Sequence, residues 1–236
     1  TALLTDIKTA FNINGWLFIV PIVVIGLIIK KTEPLIALLI VGVLSAQSKE
    51  SANLIEAVSY FNKDQHKEAK SLFEKEVEAN SENWLPNYYL ALIYSKEALE
   101  NRDTQDKMKS LLETAQKYQD KANNLQPENA EVLIVQAIIH TGWILYNPMV
   151  YGRDLSTVVD HLYNKAKTIA PDNPRVVFQK ASYDMGKARY FGQSVSPYCD
   201  EILKAIELFS TFKPKSDLHP NWGLNEAKTI YSNCTK

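Results

Sequence analysis

The pattern of hydrophobic and polar positions divides the chain near residue 46. Two apolar runs, 15–29 and 34–46, come first, and residues 16–29 contain no polar face. After residue 46, apolar residues recur three and four positions apart, which is the spacing of amphipathic helices. The pattern therefore predicts an all-α protein, with a hydrophobic membrane-directed segment at 1–46 and a helical domain at 47–236.

The two apolar runs favour one or two membrane-directed helices. Extended back to Ile13, the first run reaches about 17 residues, the lower limit for crossing a bilayer. Lys30 and Lys31 separate the runs, and the positive-inside rule places such a pair in the cytoplasm. A membrane hairpin formed by residues 13–46 would therefore leave residue 47 outside the cytoplasm.

A second interpretation of the same segment is a secretory signal peptide. Lys30 and Lys31, an apolar stretch, and then Ser45 and Ala46 have the layout of a signal with a cleavage site near Ala46. A third is that both runs are buried helices of a soluble protein. Under the first two interpretations the domain at 47–236 lies at the cell envelope, in an extracytoplasmic compartment such as the bacterial periplasm.

The N-terminal segment also resembles a known family. NINGWLF at 12–18 and IIKK at 28–31 resemble an internal stretch of NhaC-type sodium/proton antiporters over about 40 residues. The resemblance implies membrane transport, by a chain that belongs to an antiporter or is fused to a fragment of one. Neither run contains the intramembrane carboxylate that carries protons in such proteins.

The domain at 47–236 contains an internal repeat. Small residues occupy equivalent positions of successive amphipathic segments at Ala57, Ala91, Ala137 and Ala181, with separations of 34, 46 and 44 residues. Prolines at 127 and 171 end two second helices. A period of 34 residues resembles the tetratricopeptide (TPR) family. The resemblance implies a right-handed solenoid of about four or five helical hairpins.

Residues 50–236 resemble more narrowly a poorly characterised group of secreted bacterial tetratricopeptide proteins. The matching motifs are NPMVYG at 147–152, PDNPR at 171–175, and FKP at 212–214 followed by PNWG at 220–223 and Cys234. The resemblance implies a place of action outside the cytoplasm and carries no activity with it.

The first helices of such a solenoid line its concave face. Their aliphatic and aromatic residues, with few charges, predict a groove for an apolar or extended peptide. Alternatively, extra helices or the insertions at 101–106 and 147–153 fill the groove and make it ordinary core. The predicted groove residues are Leu54, Val58, Phe61, Asn62, Tyr88, Leu92, Ser95, Lys96, Ile134, Ile138, Thr141, Phe178, Ser182 and Met185.

Cys199 and Cys234 are the two cysteines of the chain. Outside the cytoplasm such a pair is commonly oxidised, so a disulfide that fastens the last helix is one interpretation. Two buried thiols packed as small apolar side chains are the other.

Charge and residue distribution exclude several function classes. With 26 basic and 27 acidic residues the chain has no basic excess for nucleic acid. Four scattered histidines predict no metal site, and no nucleophile, paired carboxylates or phosphate loop predicts an enzyme or a cofactor. We expect a noncatalytic scaffold that binds a protein or peptide partner at the cell envelope, with membrane transport as the alternative.

Overall fold

The amphipathic segments fold into α-helices in a computed structural model, which describes residues 51–234. Within these residues the chain forms nine helices and no strand, so the predicted all-α class is confirmed. The helices are α1 (Ala52–Asn62), α2 (His66–Ala79), α3 (Trp84–Glu100), α4 (Gln105–Leu125), α5 (Ala130–Tyr146), α6 (Pro148–Ile169), α7 (Pro174–Tyr190), α8 (Ser196–Thr211) and α9 (Leu224–Ser232).

Asparagine side chains start four of these helices. Asn83, Asn129, Asn147 and Asn173 precede α3, α5, α6 and α7, and each side-chain oxygen accepts a hydrogen bond from a backbone N–H of the first turn. Such caps satisfy donors that have no partner inside the helix. The turns from α1 to α8 are short, and consecutive helices pack against each other.

The helices pack in consecutive pairs, α1 with α2, α3 with α4, α5 with α6 and α7 with α8. The first helices α3, α5 and α7 also contact one another in a row. Helices α3 and α5 are apolar on nearly all sides and are largely buried, as expected for central helices. Helices α4 and α6 bury only one stripe each and form the outer layer.

The segment 212–223, between α8 and α9, lies against α3. The hydroxyl of Tyr89 donates a hydrogen bond to the carbonyl of Leu218 at 2.9 Å. Nε1 of Trp222 donates to the hydroxyl of Tyr88 at 2.7 Å. Leu218 and Trp222 are buried in the same core as α3, so the C-terminal part of the chain completes the core begun near residue 54.

A buried ion pair joins α5 to α7. The guanidinium of Arg175 donates to both carboxylate oxygens of Glu131, with Nε at 2.9 Å from each and Nη2 at 2.5 Å from Oε1. Asn173 donates to the same carboxylate at 2.6 Å and Tyr88 at 3.3 Å. Burial lowers the pKa of Arg175, but the charge of Glu131 outweighs it and leaves the pKa above its usual value.

A disulfide joins Cys199 of α8 to Cys234 after α9. This is the pair that the sequence offered as a disulfide candidate. The Cα atoms lie 5.9 Å apart, and α9 packs along α8 between the two linked positions. The link therefore fastens the last helix to the helix before it.

No helix between residues 51 and 234 combines the length and the apolar character that a bilayer span requires. The predicted membrane-directed segment 1–46, the cleavage site near Ala46 and the antiporter-like stretch lie outside the described residues.

Candidate functional site

A cleft of about 790 Å³ opens among α5, α6 and α7. The end of α3 and its following turn contribute Leu99 and Arg102, and α9 contributes Ile230. Ligand sites commonly have volumes of about 300–1,000 Å³, so the cleft has room for a molecule of cofactor size.

Two glycines inside helices keep the cleft open. At Gly152 of α6 and Gly186 of α7, an added Cβ would meet no atom within 4 Å, and both residues line the cleft. By contrast, a Cβ at Gly142 of α5 would lie 2.6 Å from Leu112, so helix packing explains that glycine. Glycine inside a helix costs about 1 kcal/mol relative to alanine, and at 152 and 186 no close neighbour among the described residues requires it.

The walls of the cleft are mostly apolar and aromatic. At the mouth, Tyr190 and Phe191 are 74% and 65% exposed, with ring centroids 5.1 Å apart in an edge-to-face arrangement. Exposed apolar side chains that adjoin one another at a groove often mark a binding site. The main apolar and aromatic lining residues are Leu99, Ile138, Ile144, Leu145, Tyr163, Tyr183, Met185, Tyr190, Phe191 and Ile230.

Arginine is concentrated at this cleft. The chain has four arginines against 22 lysines; Arg175 is buried in the ion pair, and Arg102, Arg153 and Arg189 all line the cleft. These three are exposed and form no ion pair within the described residues. Three unpaired guanidinium groups around one apolar cleft suit an anionic ligand.

Lys187 adds a fourth positive charge that is already partnered. Its Nζ lies 2.8 Å from Asp160 and 3.6 Å from Asp184. Burial lowers the pKa of Lys187, but the hydrogen bond to Asp160 and the nearby carboxylates outweigh burial and raise it. Four basic residues and one acidic residue, Asp160, thus line the cleft, which gives it a net positive charge.

Two tyrosines of the cleft are held as neutral phenols. Burial raises the pKa of Tyr163. Burial and then the charge of Asp160 raise the pKa of Tyr183, and the hydroxyl of Tyr183 points to the backbone carbonyl of Ser156 at 3.4 Å. Both side chains therefore contribute uncharged aromatic surface to the wall of the cleft.

The structure brings four predicted groove residues to the cleft, namely Ile138, Thr141, Ser182 and Met185. Most of the others are buried in the core, so for them the prediction of an open groove is wrong. These buried residues are Leu54, Val58, Phe61, Tyr88, Leu92, Ser95, Ile134 and Phe178.

The groove is closed in the first half because the chain's own C-terminal part occupies it. Trp222 covers Tyr88, and Lys96 forms an ion pair with Glu226 at 2.5 Å, which leaves Lys96 half-buried. Asn62 is exposed at the end of α1, away from the cleft-lining set. The segment 212–223 and α9, rather than the insertions at 101–106 and 147–153, therefore cover the first half of the predicted groove, whereas the cleft lies in the second half.

The insertion at 147–153 lines the cleft instead of filling it. It forms the start of α6 and contributes Pro148, Gly152 and Arg153 to the wall. The three arginines, the two glycines and the Tyr190–Phe191 pair were not predicted from the sequence. The scarcity of arginine and the position of glycine inside helical patterns were the signals that could have found them.

Among the described residues, no group of His, Cys, Asp or Glu side chains is arranged to hold a metal ion. No family model matches the sequence, and no curated protein matches it. Among solved structures the chain is similar to the HusA haemophore from Porphyromonas gingivalis, with 19% identity and a TM-score of 0.64 over 80% of this chain and 94% of that one. The two proteins therefore share an all-helical fold.

Proposed function

We propose that this chain is a noncatalytic binding protein whose cleft among α5, α6 and α7 takes up an anionic, largely apolar small molecule. The observation that carries the proposal is the convergence of Arg102, Arg153 and Arg189, all without ion pairs among the described residues, on one aromatic cleft. Unpaired arginines are suited to bidentate contacts with carboxylates, and the apolar walls supply the rest of the binding energy.

A porphyrin of the haem type is the ligand class that fits these features best. It combines a broad, flat apolar ring with carboxylate groups at one edge. The glycines at 152 and 186 leave flat stretches of helix surface inside the cleft, and the arginines supply partners for carboxylates. The structural neighbour is named a haemophore, which supports the same ligand class.

We infer that the four helix pairs are tetratricopeptide-type repeats. Ala57, Ala91, Ala137 and Ala181, the small positions of the repeat, are all at most 3% exposed, as close helix crossing requires. The row of contacts along α3, α5 and α7 is consistent with a stack of such pairs.

An extracytoplasmic protein or peptide partner is the second candidate. It is favoured by exposed apolar side chains beside the cleft, with Met149 92% and Val150 58% exposed. The disulfide between Cys199 and Cys234 supports a position outside the reducing cytoplasm. A peptide that ends in an apolar residue and a free carboxylate would use the same arginines.

Equilibrium titration separates these ligands. We would add haemin, metal-free protoporphyrin IX or an apolar peptide with a free carboxyl terminus to the full chain, and follow tryptophan fluorescence and porphyrin absorption. A triple variant with glutamine at positions 102, 153 and 189 should lose about 1–3 kcal/mol of porphyrin affinity, or roughly 5- to 150-fold.

Two further variants sharpen the titration. The matched control replaces three exposed lysines outside the cleft, Lys107, Lys117 and Lys204, with glutamine and should bind as the wild type does. Gly186→Leu should block the cleft and leave the fold stable, since its Cβ meets no neighbour. Saturable binding of the peptide but neither porphyrin would replace the proposal with the second candidate. Equal losses in the arginine and lysine variants would refute the cleft as the site.

A further inference from the structure

The cleft contains oxygen donors but no imidazole or thiolate to bind the iron of a haem. Its lining residues include no histidine and no cysteine. Met185 lines the cleft, but it is 1% exposed and packed in the core, which leaves little of its side chain accessible to a ligand. The donors that remain are the carboxylate of Asp160 and the phenols of Tyr163, Tyr183 and Tyr190.

Three of these four donors are already committed. Asp160 accepts two contacts from the ammonium of Lys187, at 2.8 and 3.0 Å. Tyr163 is 2% exposed, and burial raises its pKa. The hydroxyl of Tyr183 is directed at the carbonyl of Ser156, and burial and Asp160 raise its pKa. Each would have to give up a partner or a proton in an unfavourable environment.

Tyr190 is not held by a partner of this kind. It ends α7 at the mouth of the cleft and is 74% exposed, and its hydroxyl forms no hydrogen bond within the described part of the chain. The ring of Phe191 packs against it edge to face, which limits its rotation. The neighbouring Arg189, also without an ion pair among the described residues, keeps positive charge on the same wall.

We propose that the phenolate oxygen of Tyr190 is the protein ligand to ferric iron when haem occupies the cleft, an inference that rests on the proposed function. Phenolate is an anionic oxygen donor that haem proteins use for ferric iron. On binding, the O–H bond of Tyr190 breaks and the proton passes to solvent. The oxygen replaces a water molecule on the iron, which stays ferric throughout.

The test compares two tyrosine-to-phenylalanine variants of the full chain that differ by two helical turns. Tyr190→Phe removes the proposed ligand, and Tyr183→Phe is the matched control on the same helix and in the same cleft. Haemin and metal-free protoporphyrin IX are titrated into each variant. The ferric complexes are then examined by resonance Raman spectroscopy for an iron–phenolate vibration and by absorption for its charge-transfer band.

We expect Tyr190→Phe to lose both phenolate signatures and to bind haemin at least about tenfold more weakly than the wild type. Its affinity for metal-free protoporphyrin should stay within about twofold of the wild type, a difference of about 0.4 kcal/mol. Tyr183→Phe should keep the signatures. If Tyr190→Phe keeps them, or if wild-type complexes lack them, the ligand assignment is overturned while porphyrin binding still stands. If the wild type binds neither porphyrin, both this inference and the proposed function fail.

Discussion

Glu131→Gln is the substitution for which the structure makes the sharpest stability prediction. The side chains of Arg175 and Glu131 are 1% and 11% exposed, and one carboxylate accepts hydrogen bonds from Arg175, Asn173 and Tyr88. Glutamine keeps the shape of the side chain and removes the charge. It also places an NH₂ group against donors, where an acceptor stood before.

The expected loss of stability comes from the arginine that the substitution leaves buried. The guanidinium of Arg175 stays buried without a counter-charge, and its Nη1 already has no hydrogen-bond partner in the structure. Removing one member of a buried ion pair costs about 3–5 kcal/mol. For a domain of this size, a loss of 1 kcal/mol lowers the melting temperature by about 2–4 °C, so we expect a decrease of roughly 6–20 °C.

Urea denaturation followed by circular dichroism measures this loss. Glu113→Gln is the matched control, because Glu113 is 59% exposed in a surface ion pair with Lys109, and it should cost about 0.5 kcal/mol or less. Replacing Glu131 with leucine and Arg175 with methionine together should recover most of the loss. A Glu131→Gln protein within about 1 kcal/mol of the wild type would refute the reasoning.

Three further predictions concern the rest of the fold. Replacing Cys199 and Cys234 with serine should lower the free energy of unfolding by about 3–4 kcal/mol, because the disulfide closes a loop of 35 residues. Reduction of the wild type should give the same loss in a urea titration. Unchanged stability of the serine variant would contradict the prediction. Burial raises the pKa of Tyr88 and Tyr163 above the usual value near 10, so the folded state keeps protons that the unfolded chain releases. The free energy of unfolding should therefore fall as pH rises above about 10, by about 1.4 kcal/mol per buried tyrosine at pH 11. Tyr163→Phe should weaken this pH dependence. A free energy of unfolding that does not change between about pH 10 and pH 11 would contradict the prediction. Gly223→Ala should lower the stability of the protein by about 1–3 kcal/mol in thermal melting, since φ is +106° and the added Cβ would lie 3.1 Å from Phe209. Gly152→Ala, in open space inside a helix, should be neutral or stabilising. Equal effects of the two substitutions would show that backbone conformation is not the cause.

The helical class and the pairing of helices could be predicted because they depend on residues that are close together in the sequence. Three- and four-residue apolar spacing, small residues at Ala57, Ala91, Ala137 and Ala181, and helix-ending prolines all act within about one repeat. The cysteine pair was also visible, since the chain offers one possible intramolecular partner for each cysteine.

The closed half of the groove could not be predicted, because it depends on contacts between residues about 130 positions apart. Trp222 meets Tyr88, and Leu218 meets Tyr89, and nothing in the local sequence indicates where the segment 212–223 will lie. The arginine cleft is similar. Arg102, Arg153 and Arg189 come from three separate helical regions, and only the stacking of α3, α6 and α7 brings them to one opening.

The segment 212–223 also has a consequence for how the protein folds. A linear stack of repeats can fold from any point and propagate, because each repeat contacts only its neighbours. Here the last residues of the domain complete the core around α3, through pairs such as Tyr88 with Trp222 and Lys96 with Glu226. Contacts of such long sequence separation raise the contact order and slow folding. The chain should therefore fold as one cooperative unit and only once its C-terminal segment is available, and a single unfolding transition should be lost when residues after 211 are removed.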